Sequence, residues 1–315
     1  MSTAQPKISL IILTYNRAHL LERAIESVLR QSWQDFELII VNNGSEDHTA
    51  EVLKQYENHE KVQLFHLREN RKFKGGINFA FDQIRGEWFS SIGDDDELSP
   101  DAFETMMRVL DEVDPSINAI TCNAMDTATG KLSGHGLGRD QYLPLGAIVS
   151  KTCGNFWGLT KTELLGEKRM NEKLPGHENA FWYQIDAVAR RYYIHKPLKI
   201  WRTDHGPTET AANRKPNINI RTRVYRELLN ETFYLETLRK YNTKKYIGKC
   251  LRGILFLQIA GDKKGVAQYR SMLARARPGW RERMISQAIT ALRPRVLDQI
   301  YQAVAITRSL KPKLL

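Results

Sequence analysis

Residues 7–29 read KISLIILTYNRAHLLERAIESVL, and the change of period inside this stretch decides the fold. Residues 7–13 form a β-branched and leucine-rich run, which stops at the polar cluster Thr14-Tyr15-Asn16-Arg17. Leu20, Leu21, Ala24, Ile25, Val28 and Leu29 then recur at the spacing of one helix face. The unit is strand, loop, amphipathic helix, and it repeats. Residues 36–41 predict a second buried strand, Asn42-Asn43-Gly44-Ser45 a turn, and Ala50, Val52, Leu53 and Tyr56 a second helix. Further strands are expected at 62–67, 88–92 and 117–122, with a helix at about 75–84 and a helix start at Ser99-Pro100. Strands alternating with helices at this spacing imply an α/β fold, a mostly parallel sheet with helices on both faces.

Working outward, residues 121–174 are glycine-rich and lose the pattern, so loops and short strands are expected there. Beyond Pro207 the sequence turns to basic helices. Residues 1–209 carry 24 Lys and Arg against 30 Asp and Glu, a net charge of −6; residues 210–315 carry 23 against 6, a net charge of +17. Such asymmetry gives the two parts different partners, and the basic part should seek an anionic surface. The last segment sets an apolar stripe of Val296, Leu297, Ile300, Tyr301 and Val304 among arginines and lysines, as expected for a helix lying on an anionic membrane.

The 315 residues are 42% hydrophobic, enough for about two packed domains, which excludes disordered and collagenous classes. No apolar run approaches the roughly 18 residues of a membrane-spanning helix. Residues 1–6 do not read as a secretory signal, and three scattered cysteines build neither a disulfide framework nor a zinc site. A cytoplasmic location is therefore expected, with a peripheral position on the inner face of the plasma membrane through the basic helices.

In a doubly wound sheet, ligands bind beyond the carboxyl ends of the strands. The loops there read Thr14-Tyr15-Asn16-Arg17, Asn42-Asn43-Gly44-Ser45 and Gly93-Asp94-Asp95-Asp96. Three successive aspartates repel one another unless a cation or donors lie between them. In an extended segment Asp94 and Asp96 would share one side and Asp95 would face the other, so that one side could hold a divalent ion bridging diphosphate oxygens and the other could accept hydrogen bonds from ribose hydroxyls. An EF-hand fails, because no frame puts glycine sixth and glutamate twelfth. A dinucleotide dehydrogenase and a P-loop enzyme fail for want of their glycine motifs.

These loops in order, with Asn70 to Phe73 leading into Gly75-Gly76-x-Asn78 and Pro100 after the triplet, resemble the inverting nucleotide-sugar glycosyltransferases of family 2 over about residues 7–205. The resemblance implies a GT-A catalytic domain over residues 1–206 and a basic helical region over 207–315. It also implies a nucleoside-diphosphate sugar donor, a UDP-sugar first, and a divalent metal, Mn2+ or Mg2+. Transfer would go with inversion to a glycan or lipid-linked acceptor in surface polysaccharide or glycoconjugate assembly.

Residue by residue, the resemblance places Thr14, Tyr15, Arg17, Asn42, Asn78, Asp94 and Asp95 around the nucleotide-sugar. Asn42 stands where the family usually has an aspartate that accepts from a base N–H; its amide oxygen still accepts, without charge assistance. Ile77 replaces an arginine common before the asparagine matching Asn78, which moves the phosphate role to Lys74, with Arg71 as substitute. Asp96 and His205, in the closing segment Trp201-Arg202-Thr203-Asp204-His205, are the expected metal ligands. Where relatives carry Glu-Asp this chain has Glu178-Asn179, so Glu178 becomes the expected catalytic base and Asp186 a poorer choice. Phe156, Trp157 and Trp182 are candidates for an aromatic platform under a sugar ring.

Two other readings stand beside the enzyme. Departures at Asn42, Ile77 and Asn179 suit a GT-A scaffold that binds sugar nucleotides without turnover. The basic region alone suits a nucleic-acid binder, but no recognised binding motif accompanies it, and nucleic acid is not an expected partner.

Overall fold

The computed structural model describes residues 5–203 and 217–310. They divide into two compact units, a sheet unit that holds the chain up to Glu172 and resumes at Phe181, and a helical unit that holds Lys173–Ala180 and the C-terminal helices.

In the sheet unit, β1 (Ile8–Thr14), α1 (Ala18–Leu29), β2 (Phe36–Asn42), α2 (Thr49–Leu53), β3 (Val62–His66), α3 (Lys72–Phe81) and β4 (Trp88–Gly93) follow the expected alternation. A two-residue strand β5 (Glu97–Leu98) and α4 (Ala102–Glu112) precede β6 (Ala119–Asp126), the strand expected at 117–122. The glycine-rich stretch contains β7 (Lys131–Leu132), β8 (Gln141–Tyr142), α5 (Leu145–Lys151) and β9 (Phe156–Lys161). Then come α6 (Asn179–Asp186) and the long β10 (Arg191–Trp201).

The strand order is β3-β2-β1-β4-β9-β6-β10-β5. The first four strands are parallel, whereas β9 runs antiparallel to both β4 and β6, so the sheet is mixed at its centre. Its glycine is what admits β9 there: a Cβ on Gly158 would meet the Ile120 carbonyl oxygen at 2.0 Å.

Period-two alternation sorts β1 and β2 onto two cores. Ile8, Leu10, Ile12, Leu38 and Ile40 pack with Leu21, Ile25 and Val28 of α1 and Phe103 and Met106 of α4. Ile11, Ile39 and Val41 pack on the opposite face with Ile77, Ala80 and Phe81 of α3 and Phe181 and Ile185 of α6. Both faces being covered, the central strands read as continuous apolar runs.

The helical unit contains α7 (Ile218–Leu228), α8 (Thr232–Tyr241), α9 (Thr243–Ile259), α10 (Lys263–Arg275), α11 (Trp280–Ala291) and α12 (Pro294–Leu310). Asn217, Asn242 and Asp262 cap three of them, each side chain accepting from a backbone N–H three residues on. Buried Val224, Leu228, Leu238, Cys250, Ile254, Leu257 and Tyr269 form its core. Among the described residues, no helix is long and apolar enough to cross a membrane.

Candidate active site

Parallel register brings four strand ends level. Thr14 pairs with Asn42, Leu13 with Gly93, and Asn42 with His66, so the loops after β1, β2, β3 and β4 leave the sheet along one edge. Side chains then stitch the loops together. Asn16, in the left-handed region at φ 54°, donates its backbone N–H to Ser45 Oγ (3.0 Å) and accepts at Oδ1 from the Glu46 N–H (2.8 Å). Gly44 has φ +73° and its Cβ would meet the backbone of Glu69 at 2.5 Å, so this turn admits only glycine. Asn43 accepts from the Arg71 N–H and donates to the Lys72 carbonyl, which fixes the approach to α3.

Asn42 is buried, and both ends of its amide are engaged. Oδ1 accepts from the Ser45 N–H (3.0 Å), which settles the orientation of the amide, so Nδ2 donates to His66 Nδ1 (3.1 Å). The oxygen expected to face a base N–H thus first closes the turn, and keeps one further lone pair.

The acidic triplet is a turn rather than an extended segment, closed by the Asp96 N–H donating to the Gly93 carbonyl. The expected alternation of side chains therefore does not hold. Asp94 and Asp95 share Arg17, whose Nη1 lies 3.1 Å from Asp94 Oδ1 and also bonds Asp95 Oδ2. Asp96 turns instead to Lys199, with Nζ 2.6 Å from Oδ2, and accepts the Arg202 N–H at Oδ1 (3.3 Å). Gly93 permits the turn, since a Cβ there would meet Asp95 Oδ1 at 2.6 Å. The repulsion among the three carboxylates is thus offset by cations of the chain itself. Next to them, Glu97 pairs with Arg23 and Arg202.

Burial pushes the Asp94 carboxyl up to about 6, against the pull of Arg17. Burial also raises Asp96, against the pull of Lys199. Lys199 escaped the sequence reading. A register shift at Pro197 in β10 sets Lys199 against Leu98 of β5, beside the triplet. The available signal was a lysine between apolar Leu198 and Ile200 in a strand. His66, at the end of β3, was missed too.

Thr14, Tyr15, Arg17, Asn42, Asp94, Asp95 and Asp96 therefore converge on one edge. On α3, Lys74 is buried, while Asn78 is bound to Met170, donating to its carbonyl (2.9 Å) and accepting from its N–H (2.8 Å). Trp157 is buried against Phe103, and Trp182 stacks on Phe89, so both rings serve the cores. Asp186 is buried in an ion pair with Arg191 (2.8 Å). Glu178 lies in the helical unit just before α6, with Oε1 accepting the Gly176 N–H (3.1 Å). His205 lies outside the described residues.

Among the described residues no three His, Cys, Asp or Glu side chains converge as a metal site. Asp96 nevertheless fits a hard cation, for its two bonds use about half of a carboxylate's lone-pair sites. An ion there would take most of its ligands from substrate oxygens and water.

A mixed sheet with a block of four parallel strands and an acidic turn at their carboxyl edge, followed by a helical region, is the plan of a GT-A glycosyltransferase. Comparison with known proteins agrees. The family described as Glycosyl transferase family 2 matches residues 9–163. A Campylobacter jejuni protein named GalNAc(5)-diNAcBac-PP-undecaprenol beta-1,3-glucosyltransferase is 31% identical over 253 residues, 78% of this chain and 79% of that protein. The uncharacterized glycosyltransferase YibD of Escherichia coli is 33% identical over 125 residues, 39% of this chain and 36% of its own. Among solved structures, S. aureus TarS 1–349 in complex with UDP-GlcNAc superposes with a TM-score of 0.60 at 17% identity, over 86% of this chain and 91% of that one. The chain belongs to glycosyl transferase family 2, and it is a glycosyltransferase.

Proposed function

We propose that this enzyme moves a sugar from a nucleoside-diphosphate sugar, a UDP-sugar first, to a hydroxyl of a lipid-linked glycan, with inversion at the anomeric carbon. The catalytic domain is residues 1–206, and the basic helical region is 207–315. The observation that carries the reading is the acidic turn, Asp94 to Asp96, held between Arg17 and Lys199 at the carboxyl edge of the sheet. The lipid-linked acceptor is supported by the name of the Campylobacter relative, which carries an undecaprenol-linked glycan.

Thr14, Tyr15 and Asn42 border the nucleoside, with Asp94 and Asp95 next to the sugar-bearing end and Arg17 and Lys74 contributing positive charge to the diphosphate. A magnesium or manganese ion, held by Asp96 and His205, would neutralise charge on the leaving diphosphate. Glu178 takes the proton of the acceptor hydroxyl as that oxygen attacks the anomeric carbon opposite the departing nucleoside diphosphate. One carbon–oxygen bond forms as the other breaks, which inverts the centre.

The basic helices deliver the enzyme to an anionic membrane. Trp280 is 66% exposed, and Met284, Ile285, Val296 and Ile300 are exposed beside Arg281, Arg283, Arg293 and Arg295. Exposed aromatic and aliphatic side chains among arginines suit the interface of an anionic bilayer. The location proposed with this surface is cytoplasmic, peripheral on the inner face of the plasma membrane.

Thermal shift against UDP-, GDP-, dTDP- and CDP-sugars with manganese, followed by product analysis on lipid-linked acceptors, tests the donor and the reaction together. Stabilisation by one sugar nucleotide with turnover supports the reading. Stabilisation with no product from any acceptor would favour a non-catalytic scaffold. Sedimentation with anionic vesicles tests the membrane surface; a Trp280→Ser, Ile300→Ser variant that binds as well as the wild type removes it.

A further inference from the structure

The mechanism above leaves unused a group of cations within the helical unit. Arg221 and Tyr225 lie one turn apart on α7, and Lys245, Lys249 and Arg252 follow one face of α9 at intervals of four and three residues. Arg252 Nε donates to Tyr225 Oη at 2.8 Å, which joins the two rows. Against them lies the buried imidazole of His177, edge-on to Tyr225 at 6.2 Å and to Tyr234 at 6.4 Å.

The partners of that imidazole settle its protons. His177 Nδ1 is 3.2 Å from the Pro175 carbonyl oxygen, an acceptor, so Nδ1 carries the hydrogen. Nε2 is then a lone pair, and it accepts from Lys249 Nζ at 2.6 Å. The ammonium is therefore bonded to a neutral nitrogen, not to a carboxylate. Among the described residues, Arg221, Lys245, Lys249 and Arg252 form no ion pair with a carboxylate. Two other arginines of the unit do find one, Arg226 with Asp262 (2.9 Å) and Arg239 with Glu236 (2.7 Å). Burial and the charges of Arg252, Arg221 and Lys245 hold Lys249 down to about 8, against the pull of the Glu178 carboxylate. Four like charges on two facing helix rows cost stability, and an anion among them relieves that cost.

We infer that Arg221, Lys245, Lys249 and Arg252 form an anion site in the helical unit that takes a phosphate or diphosphate group. The residue types favour this chemistry: a guanidinium matches two phosphate oxygens at once, and a lysine adds a mobile point charge. On the transferase reading, and resting on it, the group is the diphosphate that links an acceptor glycan to its lipid. The anion site itself stands without that assignment.

The test uses the full chain in EDTA, without divalent metal, titrated with inorganic pyrophosphate and followed by thermal shift and calorimetry. A rise in melting temperature beyond that given by chloride at matched ionic strength is expected. Arg221 and Lys245 are exposed, so the double variant Arg221→Gln, Lys245→Gln should fold; it should bind pyrophosphate at least tenfold more weakly while keeping wild-type affinity for the sugar nucleotide with manganese. Asp96→Asn should keep pyrophosphate binding in EDTA whatever it does to turnover, which separates this site from the donor site. Vesicles of phosphatidylglycerol and of phosphatidylcholine doped with polyprenyl phosphate, offered to wild type and double variant, identify the source. Loss on the first assigns a bulk headgroup, and loss on the second alone assigns a polyprenyl-linked phosphate. No pyrophosphate binding by the wild type, or equal binding by the double variant, overturns the site.

Discussion

At the amino ends of β1 and β2 one buried carboxylate, Glu37, accepts from Ser9 Oγ, Gln63 Nε2, the Arg85 backbone N–H (3.0 Å) and Arg85 Nε (2.7 Å). At the carboxyl ends three carboxylates, Asp94 to Asp96, share Arg17 and Lys199. Both regions take acids out of water on the same sheet, and the sharing of donors separates them. Glu37 has more donors than charge and nothing to give away, so it holds Ser9, Gln63 and the start of β4 in place. The triplet has more acceptors than donors, and its two cations can be shared with an incoming diphosphate. A surplus of donors reads as structure, and a surplus of acceptors at a strand end reads as function.

Exchanging the losses would break that comparison. Asp96→Asn, in protein that still folds by circular dichroism, should lower turnover roughly 10²- to 10³-fold, as removal of a group serving a charged transition state does. Glu37→Gln should do the opposite: about 1–3 kcal/mol of stability lost through an impaired buried network, with turnover per folded molecule unchanged. A variant of Glu37 that folds normally and is inactive would put function at the wrong end of the sheet.

A smaller loss sharpens the same contrast around α6. Glu178→Gln should reduce turnover on the order of 10²-fold with unchanged affinity for the sugar nucleotide, because a general base acts on the acceptor. Asp186→Asn should instead lower the melting temperature, since that carboxylate is committed to Arg191. If Asp186→Asn abolishes transfer in a folded protein while Glu178→Gln does not, the assignment of the base is reversed.

The alternation of β1 to β4 was legible in the sequence because strands buried on both faces leave continuous apolar runs, as in residues 36–41. Strand β9 was not, because its place between β4 and β6 is a long-range pairing that no local period encodes. The loops at the carboxyl edge could be read off as residue types, and Arg17, Asn42 and the triplet do meet there. Their partners could not. Lys199 reaches Asp96 from over a hundred positions away through a strand irregularity, and the turn at Gly93 defeats the alternation an extended segment would give.

The smallest effect concerns Asp94, whose burial the comparison with Glu37 brings out. Its carboxyl is held at about 6 in the folded chain, above the ordinary value of 3.8. A raised acid binds its proton more tightly folded than unfolded, so the folded state loses stability as pH climbs from about 4 to about 6. Asp94→Asn carries no charge at any pH and escapes that loss, while Arg17 keeps Asp95 as a partner. The variant should therefore melt higher than the wild type by roughly 2–4 °C at pH 7.5, with the difference shrinking steadily toward pH 4.5. Melting curves across that range decide it. A difference that stays flat, or grows as the solution is acidified, would mean that Arg17 outweighs burial and that the triplet is as fully compensated as Glu37.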